Sequence, residues 1–126
     1  AIRGAEVLPF ICRERSSERV VIDLNEESWD LMINAMKDVI SKGGAAAESG
    51  TAYTAFRNFQ WPVAGKTGTA EQGGSLPTHS WFTGFTPVED PEIVVSVFVQ
   101  DGGYGSGLAS EVSRDIMEFY YENRNR

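Results

Sequence analysis

Several side chains that carry chemistry in other proteins are scarce in this sequence. It contains one cysteine, Cys12, and one histidine, His79, so no intrachain disulfide and no Cys/His zinc cluster can form. Cys12 follows two apolar residues, and a lone cysteine in such a run is typical of a small core residue. His79 opens an aromatic segment with no nucleophile or orienting acid in a triad pattern, which favours a structural role. We expect no metal site and no cofactor.

Basic residues are also few. Eleven Lys and Arg stand against 18 Asp and Glu, for a net charge of −7, which argues against a nucleic-acid-binding face and against contact with an anionic membrane surface. No run approaches the roughly 18 apolar residues of a membrane span. The start has neither the pattern of a signal peptide nor an initiator methionine, so we expect a chain that was processed or cut from a longer protein, with any targeting segment outside it.

The remaining composition is that of a folded domain or part of one. The chain has 126 residues, of which 41% are hydrophobic and 23% charged, enough for a packed core. Apolar periodicity predicts helices and short-linked strands, so the expected class is α+β, with an antiparallel sheet of about three strands and helices packed on it. The predicted elements are helices over 26–42 and 108–121, an extended segment over 62–71, and strands over 79–86 and 93–100.

Details of these elements carry further expectations. The helix over 26–42 has an apolar stripe typical of a core helix and a plausible N-cap in Asn25. The last helix presents Leu108, Val112, Ile116, Phe119 and Tyr120 as one stripe. The strand over 93–100 is apolar on both faces and should be covered on both sides. Residues 101–107 should form a flexible loop, and the first 24 residues should be irregular or extended, with "VVID" (20–23) as a short strand.

The stretch "WPVAGKTGTAEQ" (61–72) raises the main functional question. Gly65-Lys66-Thr67 ends like a phosphate-binding P-loop, but the first glycine of that motif should stand at residue 60, which is Gln60, and no helix start follows. An edge strand with an ammonium, two hydroxyls and a glycine that allows close approach instead suits a carboxylate. A small-residue edge strand with a solvated lysine is the plainer alternative.

Wider context favours the carboxylate site. The segments "VAGKTGTAE" (63–71), "HSWFTGFTP" (79–87) and "IVVSVFV" (93–99), with a Gly-rich loop and terminal helix after them, resemble the C-terminal end of a class B penicillin-binding protein. "NEESWDLMINAMKDVI" (25–40) and "GTAYTAF" (50–56) resemble the same family. The resemblance covers the chain from about residue 20. It implies that 1–126 are the C-terminal portion of a transpeptidase domain with the penicillin-binding-protein and serine β-lactamase fold.

The resemblance also implies roles for four residues. Lys66, Thr67, Gly68 and Thr69 match the family's KTGT motif and would bind the substrate. Lys66 and Thr69 would also serve catalysis, the lysine through the field around the reactive serine and Thr69 through its backbone N–H in the oxyanion hole. The threonine hydroxyls would receive the terminal carboxylate of a D-alanyl-D-alanine stem peptide or of a β-lactam. Trp81 is expected to pack in the sheet and is a candidate for the border of a ligand groove.

The reactive serine of that family is absent from the chain. No serine here begins Ser-x-x-Lys or Ser-x-Asn, and acyl transfer needs an activated hydroxyl. The isolated chain is therefore expected to be inactive, and the N-terminal part of the same protein would supply both motifs. By the resemblance, the intact protein is a D,D-transpeptidase anchored outside the cytoplasmic membrane by an N-terminal segment, with no membrane contact by this segment.

Two alternatives stay open at this point. One is a β-lactamase or D,D-carboxypeptidase, against which the pattern "HSWFTGFTP" weighs because it looks more like class B transpeptidases. The other is a non-catalytic sensor or scaffold of the same fold, which would follow if the preceding sequence lacked the serine.

Overall fold

A computed structural model describes residues 5–7, 19–41, 43 and 49–124. The chain divides into two compact units, residues 1–32 and 33–126. In the first unit, β1 (Ala5–Val7) pairs antiparallel with β2 (Arg19–Val21). The predicted short strand at "VVID" is thus present in its first two residues. The expectation of a core position for Cys12 lies outside the described residues.

Helix α1 (Glu26–Asp38) begins where the sequence predicts and ends four residues earlier. The Asn25 side chain caps it, accepting a hydrogen bond from the Ser28 N–H at 2.8 Å, and Glu26 and Glu27 occupy its positive end. No residue of α1 is buried, so the expectation that its apolar stripe is core is wrong for the described chain. Val39 and Ile40, just past its end, do pack against the core of the second unit.

The second unit is built on a three-stranded antiparallel sheet in the order β3–β4–β5. The strands are β3 (Ala64–Ala70), β4 (His79–Thr86) and β5 (Ile93–Val99). Direct pairing places Thr67 opposite Phe82 and Gly68 opposite Trp81. The Thr86–Pro87 peptide bond, at the turn into β5, is cis. All three predicted strands are confirmed to within two residues at each end.

The two faces of this sheet differ in burial. One face, here called the inner face, packs Phe82 (0% exposed) against Phe56, with ring centroids 5.2 Å apart. The opposite, outer face leaves Trp81, Val94 and Phe98 at 43%, 56% and 47% exposure. The expectation that β5 is covered on both sides is therefore wrong among the described residues. No other described helix or strand covers the side chains that β5 presents on the outer face.

Two helices complete the second unit, the single-turn α2 (Tyr53–Phe56) and α3 (Leu108–Asn123). Helix α3 packs on β4 and β5, and α2 packs on α3, which confirms the α+β class. Five residues of α3 are buried, three of them small: Ala109, Ser110, Ser113, Met117 and Tyr121.

The apolar stripe of α3 is not the side that the helix buries, because Leu108, Ile116 and Phe119 are exposed. Small side chains let the helix approach the sheet closely, and its buried hydroxyls are satisfied by backbone carbonyls. Ser110 Oγ donates to Gly105 O at 2.6 Å, and Ser113 Oγ donates to Ala109 O at 2.7 Å. Leu108, Ile116 and Phe119 consequently fall on the opposite side, whereas Met117 is buried.

The end of α3 is tied to the sheet by Tyr121. Its hydroxyl lies 3.0 Å from Thr86 Oγ1 in the buried interior, and its ring stacks on Trp61 at 4.1 Å. Burial raises the pKa of Tyr121 above its usual value, while the hydrogen bond with Thr86 acts in the opposite direction. Arg124 pairs with Glu92 one turn further on. Within the described residues no helix is both long and apolar enough to cross a bilayer.

Candidate functional site

The KTGT residues lie in the middle of β3, at the margin of the sheet. Because β3 has only β4 as a neighbour among the described strands, its other edge is open to a further extended chain. Strand alternation puts Lys66 and Gly68 on the outer face and Thr67 and Thr69 on the inner face. The structure thus brings all four residues to one strand edge without placing them on one face.

The Lys66 side chain is exposed and turns back along its own strand. Its ammonium donates a hydrogen bond to the carbonyl oxygen of Thr67 at 2.8 Å. The positive charge therefore stays beside the motif instead of extending into solvent. Lys66 is the only basic residue in the stretch 61–72, in a chain of net negative charge.

Each threonine hydroxyl of the motif has a partner from a different loop. Thr67 Oγ1 lies 2.8 Å from the Oγ1 of Thr51, which precedes α2. Thr69 Oγ1 accepts a hydrogen bond from the N–H of Gly105 at 3.1 Å, in the loop before α3. Two loops far apart in sequence thus hold the two hydroxyls on β3.

Residues 101–107, expected to be a flexible loop, make several hydrogen bonds to neighbouring elements. Gly103 N–H donates to Thr78 O at 3.0 Å, and Thr78 Oγ1 donates to Gly103 O at 2.8 Å. Gly105 is buried against β3 and β4 so closely that an added Cβ would lie 2.7 Å from Trp81 O and 2.8 Å from Gly68 N. The loop passes directly over the backbone of the motif.

His79 has structural contacts, as expected. Its Nδ1 accepts a hydrogen bond from the Asp101 N–H at 3.1 Å, and its ring meets Phe98 edge-on at 5.3 Å. Asp101 in turn accepts from Gln72 Nε2 at 2.6 Å. His79 therefore joins the ends of β4 and β5 and lies in no arrangement with a nucleophile among the described residues.

The partners of the motif were not evident from the sequence. Thr51 lies 15 residues before Lys66, and nothing in the periodicity of that segment marks its side chain. Gly105 is one of several glycines in a loop whose composition suggests mobility. Both contacts depend on how the loops fold onto β3, which is a tertiary feature. The segment "GTAYTAF" containing Thr51 was notable only for its resemblance to a known family.

Comparison with known proteins decides which family carries this arrangement. Residues 3–118 match the family model described as "Penicillin binding protein transpeptidase domain". The chain belongs to this family. It is 30% identical over 141 aligned positions to the peptidoglycan D,D-transpeptidase MrdA of Haemophilus influenzae, covering 98% of this chain and 20% of that protein.

Solved structures of penicillin-binding proteins share the fold. The complex between PBP2 and MreC from Helicobacter pylori superposes with a TM-score of 0.73 at 23% identity, over 98% of this chain and 23% of that one. An imipenem acyl-enzyme complex of penicillin-binding protein A from Mycobacterium tuberculosis gives a TM-score of 0.53 at 27% identity, over 82% of this chain and 21% of that one. The chain spans about a fifth of the length of the curated relatives it matches.

Proposed function

We propose that the protein carrying this chain is a peptidoglycan D,D-transpeptidase that cross-links D-alanyl-D-alanine stem peptides and is acylated by β-lactams. Residues 1–126 form the C-terminal portion of its transpeptidase domain. The observation that carries the proposal is the KTGT motif on the open edge of β3, in a chain that belongs to the penicillin-binding-protein transpeptidase family. Relatives named D,D-transpeptidases support the reaction type.

In this proposal the chain contributes electrostatics and docking, and the nucleophile comes from the preceding part of the protein. The serine hydroxyl attacks the carbonyl of the penultimate D-alanine, and the terminal D-alanine leaves with the proton as a free amine. The amine of a second stem peptide then attacks the resulting ester, which forms the cross-link and returns the proton to the serine. A β-lactam stops at the ester because its leaving group stays attached.

The residues of β3 have separate roles in these steps. Lys66 attracts the substrate carboxylate and contributes positive potential near the serine. The hydroxyls of Thr67 and Thr69 donate hydrogen bonds to that carboxylate. The backbone N–H of Thr69 stabilises the oxyanion of the tetrahedral intermediate. Gly68, without a side chain, lets the peptide backbone approach the strand.

The location follows from the substrate. Peptidoglycan is cross-linked outside the cytoplasmic membrane, so we place this domain on the extracytoplasmic side, with an N-terminal anchor in the intact protein. The partners are the stem peptide, β-lactams and the N-terminal part of the same protein. The complex of PBP2 with MreC is a property of that relative and concerns this chain only through the shared fold.

Labelling of the intact protein with penicillin tests the proposal. We expect a covalent adduct that survives denaturing electrophoresis, and Lys66→Met should slow its formation by about 10- to 100-fold, because a charged hydrogen-bond partner of the carboxylate is lost. Lys37→Met is the matched control, since Lys37 forms an exposed pair with Glu89 at 3.5 Å. A folded protein that takes no label would instead indicate the sensor or scaffold.

Product analysis separates the enzymatic alternatives. With a D-alanyl-D-alanine stem peptide and an acceptor amine, a transpeptidase yields the cross-linked dimer, and a carboxypeptidase yields only the shortened peptide and D-alanine. Rapid loss of the penicillin label with release of the hydrolysed drug would indicate a β-lactamase.

A further inference from the structure

The contact between Thr51 and Thr67 joins a loop outside the motif to the motif itself. Their Oγ1 atoms are 2.8 Å apart, a normal hydrogen-bond distance between hydroxyls. Thr67 is half-buried and Thr51 is exposed. Since Thr51 makes this contact from 16 residues earlier in the chain, the bond is a tertiary one and depends on how its loop is held.

The loop is held firmly on both sides of Thr51. Gly50 N–H donates to Ser41 O at 2.8 Å, and Ala52 N–H donates to Val39 O at 2.9 Å. Ala52 is fully buried. These bonds fix the backbone of residue 51 against the segment that follows α1, so its hydroxyl is presented to β3 from a constant position.

Gly50 shows how close this approach is. A Cβ on that residue would overlap the carbonyl oxygens of Asp38 and Val39, so only glycine allows the loop to lie at this depth. The position of Thr51 is therefore set by backbone packing and does not depend on its own hydrogen bond. Removing the hydroxyl should leave the loop in place.

The direction of the proton follows from the chemistry of the hydroxyl. A threonine hydroxyl has one proton to donate and two lone pairs to accept. For Thr67 to donate its proton to a carboxylate, it must accept from Thr51. The resulting chain runs from the Thr51 hydroxyl to the Thr67 hydroxyl to the anion, and such a chain strengthens each of its bonds.

We propose that Thr51 is a positioning residue of this site, which orients the Thr67 hydroxyl so that its proton points to the substrate carboxylate. The inference rests on the proposed function, because it concerns the binding of the carboxylate by β3. In this role Thr51 acts through Thr67 and not directly on the substrate. Its effect should appear in the affinity for anionic ligands and leave the acyl-transfer step little changed.

The test uses three variants of the intact protein and two probes. Thr51→Val keeps the shape of the side chain and removes the hydroxyl, Thr51→Ser keeps the hydroxyl, and Thr54→Val makes the same change on an exposed residue of α2. Benzylpenicillin carries the carboxylate, and its methyl ester lacks the charge. Acylation rates at several concentrations separate the dissociation constant from the limiting rate, and thermal unfolding monitors the fold.

We expect Thr51→Val to weaken binding of benzylpenicillin about threefold to tenfold, which corresponds to the loss of one hydrogen bond. Its limiting acylation rate, its reaction with the methyl ester and its melting temperature should stay close to those of the wild type. Thr51→Ser should restore binding, and Thr54→Val should change nothing. An equal loss with both probes would show a merely structural role and overturn the proposal, as would unchanged binding in Thr51→Val.

Thr67→Val distinguishes failure of this inference from failure of the proposed function. If Thr67→Val binds benzylpenicillin like the wild type, β3 does not receive the carboxylate through this hydroxyl, and both proposals lose that step. If Thr67→Val weakens binding and Thr51→Val does not, only the role of Thr51 is refuted. If the hydroxyls of Thr51 and Thr67 act in one chain of hydrogen bonds, the double variant should bind benzylpenicillin no more weakly than Thr67→Val alone.

Discussion

Gly105 offers a sharp test of how the loop before α3 sets the motif on β3. In Gly105→Ala, the new methyl group would lie 2.7 Å from Trp81 O and 2.8 Å from Gly68 N, and would overlap Gly68 O. All three atoms belong to the backbone of paired strands, so no side chain can move aside to relieve the overlap. The loop or the motif must shift.

The magnitude follows from two terms. Overpacking of one methyl group in a well-packed place destabilises by about 1–3 kcal/mol. A shifted loop also loses the hydrogen bond from the Gly105 N–H to Thr69 Oγ1, which contributes about 0.5–1.5 kcal/mol. We expect a loss of about 2–4 kcal/mol, which would lower the urea midpoint of the transition that unfolds this domain. Displacement of the Thr69 backbone should slow acylation by penicillin roughly 100-fold.

The assay combines urea unfolding of the intact protein, followed by circular dichroism, with the rate of penicillin labelling. Gly103→Ala is the control in the same loop. Its Cβ would meet nothing within 4 Å, but the residue has a φ of 74°, so we expect a cost of roughly 1–2 kcal/mol from backbone strain and a normal labelling rate. Normal labelling in a destabilised Gly105→Ala would refute the claim that this loop sets the motif.

Two further predictions concern the core of the second unit. Phe82→Ala removes a fully buried ring and should destabilise the domain by about 3–5 kcal/mol. Val94→Ala, on the exposed outer face, should change the free energy of unfolding by no more than about 0.5 kcal/mol. Equal urea midpoints for the two variants would contradict the assignment of the faces. Because burial raises the pKa of Tyr121, its contribution to stability is present below the usual tyrosine pKa of about 10 and is lost as the pH rises above it. Tyr121→Phe should be less stable than the wild type near neutral pH by about 1–3 kcal/mol, since Thr86 loses its hydrogen-bond partner. Between about pH 8 and about pH 11 the free energy of unfolding should fall less in this variant than in the wild type. An equal fall in the variant and the wild type would contradict the role of Tyr121.

Local patterns predicted the strands well and the helix faces poorly. The aromatic and β-branched content of 79–86 and the apolar run of 93–100 marked both strands, because such side chains are typical of a sheet. The buried face of α3 could not be read from hydropathy, which ranks Leu108 and Phe119 above the buried Ala109 and Ser113. The helix buries small residues for close approach, and the hydroxyls of Ser110 and Ser113 donate to nearby carbonyls.

In the candidate site, too, some features could be predicted from the sequence and others could not. The motif itself, with its position on an edge strand, could be predicted from local sequence and from its resemblance to a family. Its supporting contacts could not, because Thr51 and Gly105 reach β3 through loops whose paths depend on tertiary packing. The described residues do not cover both faces of β5 as expected, for a related reason: composition shows that a strand is apolar and does not show what packs against it.

The fluorescence of Trp81, on the exposed outer face, can report on binding at the motif. Trp81 lies opposite Gly68 of the motif with 43% of its surface exposed, so its emission should be that of a partly hydrated indole. Of the other two tryptophans in the chain, Trp61 is stacked on Tyr121 and Trp29 lies in α1. Any peptide, drug or neighbouring segment that covers Gly68 would dehydrate Trp81 and shift its emission to shorter wavelength, which allows binding at the motif to be followed without a label.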